Sequence, residues 1–157
     1  MSLAAPPTQS VNGAAFALGI VAARYNPVLV DALLDQVRAG LAAAGVKAGK
    51  ITVLRVPGSH EVPWAAQALA APGRFDCVIA LGVLVAGDTN HHEMVGQSVS
   101  QALQQVALAT RIPVINGVIV AGTAAQARAR CTGRRARGPE FARAALAMAA
   151  LKRRLFP

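Results

Sequence analysis

Cysteine, aromatic and acidic residues are all scarce in this sequence, and each scarcity closes off a class of protein. Two cysteines in 157 residues, Cys77 and Cys131, are too few and too far apart for a disulfide framework or a cysteine zinc site. Cys77 sits inside an apolar run, so both read as incidental thiols. Aromatic residues make up 4% of a chain that is 54% hydrophobic, largely alanine and valine, so the core is expected to close through small side chains. The longest apolar stretches, around Ala14 to Ala23 and Cys77 to Ala86, reach about half the ~20 residues of a membrane span. They read as buried strands, and no membrane partner is expected. The first residues, Met1 to Gly13, contain no Lys or Arg, which leaves out the basic start of a secretory signal and predicts a cytoplasmic protein. Also missing are a Gly-x-Gly-x-x-Gly after the first strand, a Walker loop and a serine nucleophile elbow.

Seven acidic residues against sixteen Lys and Arg leave a formal charge of +9. Nine of those sixteen follow Ala127, so the excess is local. A phosphate site, a subunit contact, a solvated face and a nucleic-acid patch all fit such a cluster, and composition does not choose among them.

The length suits one domain with its own core, residues 13–157, after a flexible segment over residues 1–12. Four apolar runs of strand length, Ala15 to Ala22, Ile51 to Val56, Cys77 to Val85 and Pro113 to Val120, alternate with stretches of helical period. Val30, Leu33, Leu34, Val37 and Leu41 mark the sheet-facing side of a first helix that Gly45 can stop. A short alanine-rich second helix runs from about Val62 to Ala71. Val95, Val99, Ala102, Leu103 and Val106 mark the third, and Phe141, Ala145, Met148 and Leu151 the last. Strands joined by crossover helices run parallel with both faces covered. The predicted fold is α/β, a three-layer α/β/α sandwich on a four-stranded parallel sheet, of the flavodoxin-like kind.

Ligands of open parallel sheets bind beyond the carboxyl ends of the strands. The segments that follow the strands here are Arg24-Tyr25-Asn26, Pro57-Gly58-Ser59-His60-Glu61, Gly87-Asp88-Thr89-Asn90-His91-His92-Glu93 and Gly122-Thr123. They gather the only tyrosine, all three histidines and three of the seven acidic residues at one edge. Asn90 and Glu93 are spaced as a capping box, which reads as a helix start. The same helix start is also an anion site, because its free N–H groups and positive dipole end attract phosphate. His91, four residues before Val95, is expected on the inward face, where the dipole favours a neutral imidazole able to accept a proton. His92 is turned about 100° away. Adjacent helical positions diverge and no carboxylate triad accompanies them, so no metal is expected. Glu61 either binds hydroxyls or complements a helix dipole, and Tyr25 either stacks on a heteroaromatic ring or packs locally.

In this order, these segments resemble the lumazine synthases over nearly the whole chain. The residues that carry the resemblance are Arg24-Tyr25-Asn26, then Val56-Pro57-Gly58-Ser59-His60-Glu61-Val62-Pro63, the run from Ala80 through Val83-Leu84-Val85 and Gly87-Asp88-Thr89 to His91, and Ile112 to Val118. The resemblance implies an enzyme of riboflavin biosynthesis that needs no cofactor. It would condense 5-amino-6-(D-ribitylamino)uracil with 3,4-dihydroxy-2-butanone 4-phosphate to 6,7-dimethyl-8-ribityllumazine. By the same resemblance Tyr25 stacks on the pyrimidine, and Ser59, His60 and Glu61 bind the ribityl chain. Asn26, Val83, Leu84, Val85 and Asn116 complete that pocket. Gly87, Asp88 and Thr89 bind phosphate together with Arg130, and His91 transfers protons. A homopentamer with active sites shared between subunits is implied, with decamers or sixty-subunit shells as higher states and riboflavin synthase as a further partner.

The chain departs from that pattern at His60 and His92, which stand where the family usually has aromatics, and at Asn116, in place of a common Phe. The arginine-rich loop after Arg130 is shorter than usual. A flavin- or lumazine-binding protein of the same fold without catalysis is the competing reading, and retention of His91 and Arg130 weighs against it. Nucleic-acid binding through Arg134 to Arg137 is a third and weaker reading, so no nucleic-acid partner is expected; a steep loss of affinity with salt would reveal one.

Overall fold

The computed structural model describes residues 10–156. The expected flexible start therefore lies outside the described residues over positions 1–9. Four parallel strands, β1 (Leu18–Ala23), β2 (Ile51–Val56), β3 (Cys77–Val85) and β4 (Val114–Ala121), form one sheet in the order β2-β1-β3-β4. In register, Leu18 lies beside both Ile51 and Cys77, and Val78 lies beside Val114. Every residue of β1 is buried, as a central parallel strand demands.

The period-two alternation of the strands feeds two cores. Leu18, Ile20 and Ala22 of β1 pack with helices α1 (Pro27–Ala43), α4 (Ala124–Cys131) and α5 (Gly138–Leu155). Val21 and Ala23 face the other way, toward α2 (Val62–Ala70) and α3 (His91–Thr110). This is the three-layer sandwich that the alternation of runs predicts.

Where the structure departs from the sequence reading, backbone chemistry explains it. β1 begins at Leu18 rather than Ala15, because the Phe16 amide closes a turn on the Gly13 carbonyl (2.9 Å) and the Ala17 amide donates to the Asp76 carboxylate (2.8 Å). β4 begins after Pro113, which has no N–H to give to a ladder. In α5 the buried row is Phe141, Ala142, Ala145, Leu146 and Ala149, while Met148 of the expected stripe is 37% exposed. α1 comes so close at Gly40 that an added Cβ there would lie 2.8 Å from Ala142 Cβ, so small residues define the packed face. Helix α4 was not expected, because its buried side is only Ala127 and Cys131. Gly45 ends α1 at φ +90°, the left-handed stop that the sequence places there.

At the amino end of the sheet, Asp76 is buried directly before β3. Its Oδ1 accepts from Arg153 Nε (2.7 Å), and its Oδ2 accepts from Arg153 Nη2 (2.8 Å) and the Ala17 amide (2.8 Å). Lys152 Nζ lies 3.8 Å from Oδ1, and the Arg153 guanidinium stacks 5.1 Å from the Phe16 ring centre. Burial pushes the Asp76 carboxyl up, but the hydrogen bonds from Arg153 and Ala17 and the charges of Arg153 and Lys152 outweigh it and hold it below its ordinary value. Two of the nine late cations thus anchor α5 to the sheet.

Candidate active site

The chain passes from β1 to α1 through Asn26, whose left-handed backbone (φ 53°) lets Pro27 open the helix. The Asn26 amide nitrogen donates to the Val83 carbonyl (2.9 Å), which fixes this turn against the end of β3. Tyr25 is left 73% exposed. After β2, Pro57-Gly58 leads into a single 3-10 turn, Ser59–Glu61. Glu61 Oε2 accepts from the Gly58 amide (2.8 Å), so this carboxylate shapes the turn. Ser59 is buried against Gly82, where an added Cβ would sit 2.5 Å from the Ser59 hydroxyl oxygen. Only glycine at 82 lets that turn reach the strand.

β3 runs on into the exposed loop Gly87 to Asn90 and so to α3. The expected capping box does not form: the Asn90 side chain makes no cap, and the one side-chain contact is a long one, from the His91 amide to Thr89 Oγ1 (3.4 Å). Helical geometry leaves the first-turn amides without partners inside the helix. They point toward the same loop.

These pieces enclose one concavity of about 510 Å³, lined by Tyr25, Asn26, Gly58 to Glu61, Val83, Leu84, Val85, Gly87, Thr89, His91, His92 and Val95. Asp88 is exposed beside it and does not line it. The two α3 histidines exchange the positions expected of them. The packed row of α3 runs through Val99, Leu103 and Val106, and stepping back from Val99 by two turns reaches His92 rather than His91. His92 has a side chain 13% exposed, with Nε2 4.0 Å from Glu93 Oε1, whereas His91 stands exposed at the mouth. Ser59 Oγ and His92 Nδ1 are both buried without a hydrogen-bond partner. His92 had no assigned role in the sequence; its signal was the substitution of an aromatic family position.

Asn116 and Arg130 lie elsewhere. With Gln126, Arg135, Arg137 and Phe141 they line a second concavity of about 560 Å³ between β4 and the helices that follow it. Asn116, expected beside the pyrimidine with Tyr25, is not brought to that ring's side within one chain, because it sits on the edge strand β4. Arg137 joins Arg130 there, and so do Arg135 and Gln126, which the sequence did not single out for that site.

Burial pushes the Cys77 thiol far above its ordinary range and Cys131 up to about 11, so neither supplies a thiolate near neutral pH. Among the described residues no group of three His, Cys, Asp or Glu could hold a metal ion. No helix among them is long and apolar enough to cross a membrane.

A parallel α/β sandwich with one concavity past β1 and β3, and a second, arginine-lined one beside β4, has the architecture of α/β proteins that take small ligands at the carboxyl ends of their strands. Residues 15–153 match the family model of 6,7-dimethyl-8-ribityllumazine synthase. The chain is 38% identical over 144 residues to the 6,7-dimethyl-8-ribityllumazine synthase of Polaromonas sp., covering 92% of each. It is 39% identical to that of Thermococcus onnurineus, covering 91% of this chain and 93% of the relative, and 41% identical to that of Thermobifida fusca, covering 99% and 91%. The chain belongs to the 6,7-dimethyl-8-ribityllumazine synthase family.

Proposed function

We propose that this chain condenses 5-amino-6-(D-ribitylamino)uracil with 3,4-dihydroxy-2-butanone 4-phosphate, at sites completed between neighbouring subunits of a homopentamer. The observation that carries the reading is the convergence, in one concavity, of the exposed Tyr25, the Ser59–Glu61 turn and the open start of α3. Tyr25 offers a stacking face to the pyrimidine, and the turn with its unpartnered Ser59 hydroxyl suits the ribityl chain. Gly87, Thr89 and the first amides of α3 suit the phosphate, where the dipole favours an anion.

The pyrimidine amine attacks the ketone and water leaves, giving an imine. Elimination then expels inorganic phosphate, and the ribitylamino nitrogen closes the ring with loss of a second water. His91, at the mouth beside the phosphate loop, moves protons in these steps, and most of the acceleration comes from holding two substrates together. The phosphate needs an arginine as well, and Arg130 lies in the other concavity of the same chain. A neighbour's Arg130 meets that need, because a heterologous ring sets unlike surfaces against each other. The reaction runs in the cytoplasm, and riboflavin synthase takes the product.

Complementation tests the shared site. His91→Ala and Arg130→Ala chains, each impaired, are unfolded together and reassembled, and mass analysis shows that the rings contain both. About a quarter of interfaces in a randomly mixed closed ring carry neither lesion, so lumazine fluorescence should return to about that fraction. Mixed rings no more active than either parent defeat the shared site. Wild-type chain that binds riboflavin but yields no lumazine from both substrates defeats the catalytic reading itself.

A further inference from the structure

Gln36 is out of place on α1. It follows Leu33 by one helical turn and adjoins Val37, both fully buried, so a polar amide stands beside the apolar row that packs on the core. The Gln36 Nε2 donates to the carbonyl of Cys131 at 2.7 Å, across a sequence separation of 95 residues. Cys131 is the last residue of α4 and directly follows Arg130. The other end of the same amide, Oε1, is buried and unpartnered. It lies against Gly138, where an added Cβ would come within 2.5 Å of Gln36 Cβ and 2.7 Å of Oε1. Arg137, the residue before, has a buried Nε–H that also lacks a partner. The Arg137 amide in turn donates to the Arg130 carbonyl at 2.9 Å. One side chain of α1 therefore grips the departure of the arginine loop from α4 and abuts its entry into α5.

We propose that Gln36 is a positioning residue for the phosphate arginine: its amide holds the Arg130–Gly138 loop so that Arg130 presents its guanidinium at a fixed place on the second concavity. Arg130 and Arg137 both line that concavity, whereas Gln36 does not. Gln36 acts through the backbone at Cys131, and among the described residues it is the one side chain from α1 that holds a loop of five further arginine or glycine residues whose other ties are local: backbone bonds to the Arg128, Arg130 and Gly133 carbonyls, the Thr132 hydroxyl at the end of α4 (3.0 Å) and the Arg137 pair with Glu140 (2.8 Å). The unpartnered Gln36 Oε1 and Arg137 Nε–H are a complementary acceptor and donor, a second tie that the loop can make when an anion settles over it. An arginine held in place loses less freedom on gripping phosphate, so the tie shows in the affinity for the phosphate-bearing substrate.

The inference rests on the reading of Arg130 as a phosphate ligand, and the test separates the two. Gln36→Met keeps the length and shape of the side chain and removes both hydrogen-bonding atoms. Gln36→Glu keeps an acceptor for Arg137 but removes the donor to Cys131. In both, KM for the keto-phosphate and Ki for inorganic phosphate should rise about three- to tenfold, the worth of one hydrogen bond. KM for the pyrimidine and kcat should stay within about twofold, and Arg130→Ala should raise the same phosphate constants more. Leu41→Val, which thins the core at the far end of α1, serves as the control for lost stability alone. If Gln36→Met lowers the melting temperature as Leu41→Val does and leaves both phosphate constants unchanged while Arg130→Ala raises them, Gln36 is structural and the inference fails alone. If Arg130→Ala also leaves them unchanged, the phosphate reading falls and takes the inference with it.

Discussion

The two ends of the sheet treat their buried polar atoms in opposite ways. At the amino end, both Asp76 oxygens are taken up, by Arg153 and by the Ala17 amide. At the carboxyl end, Ser59 Oγ and His92 Nδ1 are buried with nothing to bond. An unpaired buried polar atom costs about 1–3 kcal/mol, so a fold keeps one only where something else completes it. The satisfied end is scaffold, and the unsatisfied end is the one that the proposed site occupies, where a ligand would bring the missing partners. The late basic cluster divides along the same line, with Lys152 and Arg153 closing the scaffold and Arg130, Arg135 and Arg137 lining a concavity.

The largest effect belongs to the carboxyl end. His91→Ala should slow lumazine formation by roughly ten- to a thousandfold while leaving pyrimidine binding nearly intact, because the work proposed for it is proton transfer rather than ring recognition. Activity should not vanish, since proximity remains. His92, deeper and unpartnered, is the rival, and steady-state kinetics with a fluorescence-monitored pyrimidine titration decide between them. If His92→Ala carries the whole loss and His91→Ala none, the deeper histidine is the base.

Which end could be read from the residues depended on how each signal is carried. Strand runs and the α1 stripe were legible because a single local period encodes them, and Val30, Leu33, Leu34, Val37 and Leu41 are all buried. α4 was not, because two small buried residues in eight give no period to detect. The positions of His91 and His92 exchanged because the helix was phased from Val95, which is only half-buried, rather than from Val99, Leu103 and Val106. The Ser59–Glu61 turn and the loop before α3 follow their strands in sequence and so fell together, whereas Asn116 and Arg130 depend on β4 lying at the sheet edge. Asp76 went unnoticed because its partner is 77 residues away.

The scaffold end makes the complementary prediction. Asp76→Asn keeps the shape but removes the charge that Arg153 and Lys152 meet. Both cations reach solvent, Arg153 with a side chain 45% exposed, so they rehydrate and the loss stays moderate. About 2 kcal/mol is expected for a hydrogen bond to a charged group, or roughly 4–8 °C in melting temperature for a chain of this size. Activity per folded subunit at 25 °C should not change. A variant that keeps its melting temperature but loses activity would reverse the assignment of the two ends.

The smallest effect is the pH dependence of that same clamp. The Asp76 carboxyl is held below its ordinary value in the folded chain, and its value in the unfolded chain is about 3.9. The unfolded state therefore binds the proton more readily, and stability falls as pH falls wherever the two states differ in protonation. The contribution is fully present above about pH 5 and is lost as pH drops through about 3.9 toward the lower folded value. Arg153 does not add to this, since its guanidinium is raised further by the Asp76 hydrogen bond and stays charged throughout. Other carboxylates titrate in the same window, so the wild-type curve alone says little. The difference between wild type and Asp76→Asn isolates the clamp, because the variant has no proton to take up at that site. Urea midpoints at pH 7, 5, 4 and 3, at one protein concentration, should show a gap that is constant from pH 7 to 5 and narrows below. A gap that stays constant down to pH 3 would mean that Asp76 gains nothing from its charge in the fold, and that the amino end holds by shape and neutral hydrogen bonds alone.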